Sequence, residues 1–291
     1  MAKKEASTAI AEQADVPVQD NNANENLALQ TTTSATLTAA SAQSLDDMFM
    51  EDAGAGLQNM GAGDVAIPFL VILQKGSPQV SRANAKYIKG AEQGMLMNTV
   101  TQQLFPGDVG VSFIPCGYNK AVVEWKTRDS GGGFVASHRE GDAFLKTCTQ
   151  HNEKGQLMSP TGNVLIDTAY HFGLLIVEGN PSWCVIAMAS TQLKKSRVWN
   201  TTMKQILIPG PNGIKFNPPS YSHVYKLTTI GETRDNYDWF GFNIVVEKRV
   251  DDRNLYMLAR DFSAQVSNNE VRVGAPPQVD VVEESPEKIP F

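Results

Sequence analysis

The stretch Val164-Leu165-Ile166-Asp167-Thr168-Ala169-Tyr170-His171-Phe172-Gly173-Leu174-Leu175-Ile176-Val177 puts Val164, Ile166, Tyr170, Phe172, Leu174 and Ile176 on one face. A period of two over so many residues belongs to an extended strand and not to a helix. The same period continues outward in both directions. Upstream, Val109, Val111 and Phe113 alternate, and a second run sets Ala121, Val123 and Trp125 against Lys120, Glu124 and Lys126. The two runs read as a hairpin turning through Cys116 to Asn119. Downstream, Gly179-Asn180-Pro181-Ser182 has the composition of a turn, and Trp183 to Ala189 follows as a strand. Further strands are predicted from His223 to Ile230 and from Tyr237 to Lys248, and the fold begins near Ile67-Pro68-Phe69-Leu70-Val71-Ile72-Leu73.

One segment breaks the pattern. From Thr191 to about Leu207 the apolar residues Leu193, Trp199, Met203, Ile206 and Leu207 share one sector at 100° per residue, with Thr191 as the N-cap. Lys194, Arg197 and Lys204 fall on the adjacent sector, with Lys195 beside them, so this helix carries a cationic stripe next to its packing face. Lys120, Lys126 and Arg128 form a second cationic group around Ser130-Gly131-Gly132-Gly133-Phe134, with Arg139 beyond it. Trp125 and Trp199 have apolar periodic neighbours and are expected in the core.

Strands of uneven length, one internal helix and a cationic surface predict a mainly β fold of the oligonucleotide-binding Greek-key barrel type over residues 64–262, with a β-sandwich as the alternative. Residues 1–63 read as an acidic, disordered N-terminal arm, low in aromatics and ending in a glycine-rich link, with a short amphipathic helix from Ser44 to Met50. Residues 263–291 read as a flexible acidic tail.

The charge is distributed in the same three parts. Basic residues number two against nine acidic over 1–63, 21 against 17 over 64–262, and two against five over 263–291. A basic middle between acidic arms suits a domain that binds a polyanion while its arms restrain indiscriminate binding. No secretory leader is expected after Met1-Ala2-Lys3-Lys4, and the three scattered cysteines fit a reducing cytoplasm, so the protein is expected to be cytoplasmic and away from membranes.

Cations that follow phosphates and aromatic faces that stack on bases are the two devices that hold single strands. Tyr237 and Trp239 lie on the second face of the last strand, near its start, and Phe134 sits in a polar loop between Arg128 and Arg139. These three are the stacking candidates, and the lysines and arginines above are the phosphate candidates. No catalytic motif is legible, so no enzyme activity and no cofactor are expected. Cys148 and His151 have metal-like spacing but lack a second ligand pair close in sequence.

The chain ends in Glu283-Glu284-Ser285-Pro286-Glu287-Lys288-Ile289-Pro290-Phe291. An acidic tail that closes on an apolar Ile-Pro-Phe tip resembles the C-terminus of bacterial single-stranded DNA-binding proteins, and phage replication proteins of the same role also end in an acidic tail with a final Phe. The resemblance implies sequence-tolerant single-stranded DNA binding in phage replication, recombination and repair. It also implies recruitment of polymerase, helicase or primase by Glu283, Glu284, Ile289, Pro290 and Phe291. The rival reading is a virion or assembly protein with a β-rich domain, and exposed barrel edges leave room for a homodimer.

Overall fold

The computed structural model describes residues 44–60, 64–234, 237–271 and 273–277, apart from the Arg128 side chain. The C-terminal tip and most of the N-terminal arm lie outside them. The chain forms two units, Met1–Gly56 and Leu57–Phe291. In the first, α1 (Leu45–Glu51) is the expected amphipathic helix, opened by a capping box in which the Ser44 side chain accepts from the Asp47 amide and Asp47 reaches back to the Ser44 amide.

The second unit is mainly β. Its strands are β1 (Leu70–Ile72), β2 (Leu96–Asn98), β3 (Leu104–Phe105), β4 (Val111–Trp125), β5 (Phe134–Arg139), β6 (Gln150–His151), β7 (Leu157–Met158), β8 (Val164–Val177) and β9 (Asn180–Ala189), followed by β10 (Ile208–Pro209), β11 (Lys215–Phe216), β12 (His223–Arg234) and β13 (Tyr237–Arg249). Helix α2 (Gln192–Gln205) lies between β9 and β10, and α3 (Arg253–Ser267) follows β13.

The large sheet is antiparallel and runs β13-β12-β4-β8, with β9 also paired to β8, and it curls as a half-barrel. After α2 the chain returns through β12 to lie beside β4. That connection, with the helix inserted between the third and fourth barrel strands, is the Greek key of an oligonucleotide-binding barrel, and the expected fold class is the observed one.

The expected hairpin at Cys116–Asn119 is not there. β4 is one continuous strand that pairs with β8 from Ser112 to Trp125, and a register shift at Pro115–Gly117 takes the place of the turn. Proline and glycine inside a strand mark a bulge as readily as a turn. This bulge lets β4 serve two neighbours, β12 at Val111–Phe113 and β5 at Ala121–Trp125. The next turn is tighter than expected. Glu178 and Gly179, both at positive φ, form the two-residue loop, and Asn180 already belongs to β9.

β8 is buried on both faces, which explains why Leu165, Ala169, His171 and Leu175 are as apolar or enclosed as the predicted core positions. Inside the curl, Phe113, Leu175, Ile186, Trp199, Tyr225 and Leu227 form one core under α2. Outside it, Ile114, Val123, Phe172, Leu174 and Phe262 form another under α3. Helix α3 was not anticipated, although its start is readable: Asp252 is an N-cap whose side chain accepts from the amides of Asn254 and Leu255. The folded chain thus continues past residue 262, and Val266, Val271 and Val273 pack against the outer core. Gly117 has no side chain because one would meet Val266 at 2.7 Å.

The gap between β9 and β13 is filled by the segment Pro68 to Gln74. The Pro68 carbonyl accepts from Val185 N at 2.9 Å, and Phe69 bridges Val185 in parallel. At the far side Gln74 acts as a one-residue strand: its Nε2 donates to the Phe240 carbonyl at 2.8 Å and its Oε1 accepts from Phe240 N at 2.9 Å. Gln192 Oε1 accepts from Phe242 N at 3.1 Å, continuing the same edge. Gln74→Ala strands both Phe240 backbone groups in partly buried surroundings. Urea unfolding should show a loss of about 1–3 kcal/mol, and an unchanged midpoint would contradict this closure.

Candidate nucleic-acid interface

In an oligonucleotide-binding barrel the outer face of the second and third strands is the usual ligand face. Here those strands are β8 and β9, and α3 covers them, with Phe262 stacked on Trp183 at 5.3 Å between centroids and 8° between planes. An open concavity lies elsewhere, between α2 and the β12–β13 hairpin. It is a groove of about 730 Å³ whose lining includes Lys194, Lys195, Val198, Glu232, Arg234 and Trp239.

Each wall follows from its sequence. α2 buries Gln192, Ser196 and Trp199, so Lys194, Lys195, Val198 and Thr202 turn toward the hairpin. Leu193, Met203 and Ile206 pack as expected, whereas Leu207 lies beyond the helix and is exposed. Thr191 occupies the N-cap position without making a side-chain cap bond. The helix is anchored from below by His171, whose Nε2 lies 2.8 Å from Ser196 Oγ and whose ring stacks on Trp199 at 4.4 Å. Burial pushes His171 down to about 3, so it remains neutral at ordinary pH.

On the opposite wall Trp239 Nε1 donates to Glu232 Oε2 at 2.8 Å, and Lys195 pairs with Glu232 Oε1. Gly241 makes this crossing possible. A Cβ there would stand 2.9 Å from Lys195 Cε and 3.0 Å from Glu232 Oε1. Tyr237 is exposed at the hairpin end, opposite Arg234 in register. Phe242 is buried and Ile244 lines the groove, whereas Val246 is exposed.

The groove thus brings together Lys194, Lys195 and Trp239 from the sequence reading and adds Glu232, Arg234 and Gly241, which that reading did not single out. Arg197 and Lys204 are exposed on α2 but do not line the groove.

The other candidates gather around β5. Phe134 begins that strand instead of sitting in the loop, and its ring meets buried Trp125 edge-on at 6.0 Å. Arg139 is exposed, with Nη2 at 3.5 Å from Asn269 Oδ1, and Lys126 is exposed. Lys120 already shares its charge with Glu140 at 3.5 Å and Asp167 at 3.6 Å. Arg128 lies in a short 3-10 turn. Register separates the two groups: β12 pairs with β4 at Val111–Phe113 and β5 with it at Ala121–Trp125. Eight or more residue steps of extended strand separate them, on the order of 26 Å.

A buried polar cluster ties β5 to β4. Glu124 accepts from Asn163 Nδ2 at 2.8 Å and lies 3.0 Å from His138 Nε2. Burial raises the Glu124 pKa, but hydrogen bonds from Asn163, His138 and Ser159 and the charge of His138 outweigh it, and the carboxyl titrates below its ordinary value. Among the described residues no group of three or more His, Cys, Asp or Glu side chains could hold a metal ion. Cys148 is buried with its Sγ donating to the Phe144 carbonyl at 3.4 Å, and His151 is exposed on β6. No helix among the described residues is long and apolar enough to cross a membrane.

Fold and groove define an oligonucleotide-binding-type barrel with a cationic, aromatic-walled cleft beside its internal helix. The chain belongs to the family described as Pam3 phage gp34-like proteins, whose model matches residues 34–272, from ahead of α1 to just past α3. It is therefore a member of a phage-derived family. No curated protein and no solved structure matches it.

The Glu124 cluster has a signed pH dependence. A carboxyl more acidic in the folded state than in the unfolded one stabilises fully above the unfolded pKa and loses that contribution as pH falls through the folded value. The stability margin of the wild type over Glu124→Gln should be largest near neutral pH and shrink below about 4.5. A margin independent of pH in urea titrations would contradict this account.

Proposed function

We propose that this chain is a non-enzymatic, sequence-tolerant single-stranded DNA-binding protein of phage replication, recombination and repair, acting in the host cytoplasm. The observation that carries the reading is the groove between α2 and the β12–β13 hairpin, whose lining brings Lys194, Lys195 and Arg234 together with Trp239. The cations engage phosphates and the indole stacks on a base, which needs no particular sequence because every base has a face to offer. The exposed Tyr237 extends the stacking surface toward the hairpin tip. Phe134 and Arg139, at the β5 end, form a second contact that a longer strand reaches after leaving the groove.

Membership in a phage-derived family supports the setting, and the acidic tip supports the partners. In this reading Glu283, Glu284, Ile289, Pro290 and Phe291 recruit replication proteins and compete with DNA for the cationic groove when no strand is bound.

Binding to a labelled thymidine oligonucleotide and to duplex of equal length, titrated with salt, tests the proposal. The single strand should be preferred, and affinity should fall with log salt by about 0.7 for each phosphate contacted. A chain ending at Val279 should bind more tightly than the full chain. Trp239→Ala should lose about 1–3 kcal/mol at unchanged salt slope, whereas Lys194→Ala should lower the slope. Weak and equal binding to both forms would overturn the proposal and favour a virion or assembly role.

A further inference from the structure

A groove that only neutralised phosphates would have no use for a carboxylate, yet this one holds Glu232 in a built position. The indole edge of Trp239 donates to its Oε2 at 2.8 Å, Lys195 pairs with its Oε1, and Gly241 leaves the space in which the pair crosses β13. The Glu232 side chain keeps a quarter of its surface open, 25%. An ionised carboxylate has about four acceptor positions. Trp239 and Lys195 use two, which leaves the carboxylate able to accept from further donors.

We propose that Glu232 makes the groove favour bases with donors on their Watson–Crick edge, guanine foremost, an inference that rests on the single-strand reading above. A base that enters beside the indole edge, in the plane of the ring and next to one stacked on its face, turns its Watson–Crick edge to the carboxylate that the indole holds. Guanine presents N1–H and N2–H side by side, a pair of donors that a carboxylate accepts together. Thymine presents a single N–H between two carbonyls, whose lone pairs face the negative charge. Asn243 points the same way. Its Nδ2 donates to Thr228 Oγ1 at 3.0 Å, and its side-chain oxygen keeps the capacity to accept. Lys195 holds the local charge near neutral, so the carboxylate can sit beside a polyanion.

The test uses the full chain with a thymidine strand of roughly 20 nucleotides, longer than the 4–16 that one such barrel covers, and an equal strand in which every fourth thymidine is replaced by deoxyguanosine. Spacing the guanines keeps them from pairing with one another. The guanine-bearing strand should bind at least about fivefold more tightly, the lower end of what one bidentate base contact is worth. Glu232→Gln keeps the shape and an acceptor for Trp239 while removing the charge and releasing Lys195. Its preference should fall below about twofold. Equal affinities in the wild type, or a preference undiminished in Glu232→Gln, would overturn the inference while leaving single-strand binding intact. Failure of the wild type to bind either strand would instead contradict the single-strand reading on which it rests. The wild-type comparison decides between these results whether or not the variant folds.

Discussion

The arrangement depends on how the curled sheet is closed. β9 and β13 do not pair with one another, and the gap is spanned by the chain from Pro68 to Gln74. On one side this segment offers backbone to Val185; on the other it offers only the Gln74 amide, which satisfies both Phe240 backbone groups. An uncapped barrel edge invites pairing with other chains. Here two glutamines cap it, and because Gln192 opens α2, the same edge fixes where α2 sits against β13. The groove is a consequence of that closure. Its two walls are an anchored helix and the hairpin whose edge the glutamines hold.

The charges of the groove are paired internally. Glu232 partners Lys195 and Trp239, so Lys195 stands in the groove as half of an ion pair and not as a bare cation. The two side chains keep only 20% and 25% of their surface open, and the pair keeps Trp239 oriented. His171 contributes from beneath: neutral at ordinary pH, it couples β8 to α2 through Ser196 and to the groove floor through Trp199.

Much of this was legible in the residues. Alternation located β8, β12 and β13 to within a few residues, and helical periodicity placed Lys194 and Lys195 beside the packing face of α2. The misreadings share a physical origin: local signals do not say what a neighbour will do. Pro115 and Gly117 look like a turn until β8 runs past them as a partner, when they become a bulge. Asp252 caps a helix that begins directly after a strand, where alternation alone does not mark the change of period. Within the site, Trp239 was identifiable as an aromatic on the second face of a strand. Glu232 and Gly241 were not, because their roles exist only once β12, β13 and α2 are brought together. The closure by Gln74 spans 166 residues and leaves no local trace.

The central claim is that a single strand runs through the groove between α2 and β13. Photo-crosslinking with a strand carrying 5-iododeoxyuridine, followed by peptide mass spectrometry, tests it at residue level, since the activated base couples to aromatic side chains that it stacks on. The account predicts adducts on Trp239 and Tyr237, lost when excess unlabelled strand is added. Adducts confined to Phe134, or to Trp183 on the face that α3 covers, would contradict it.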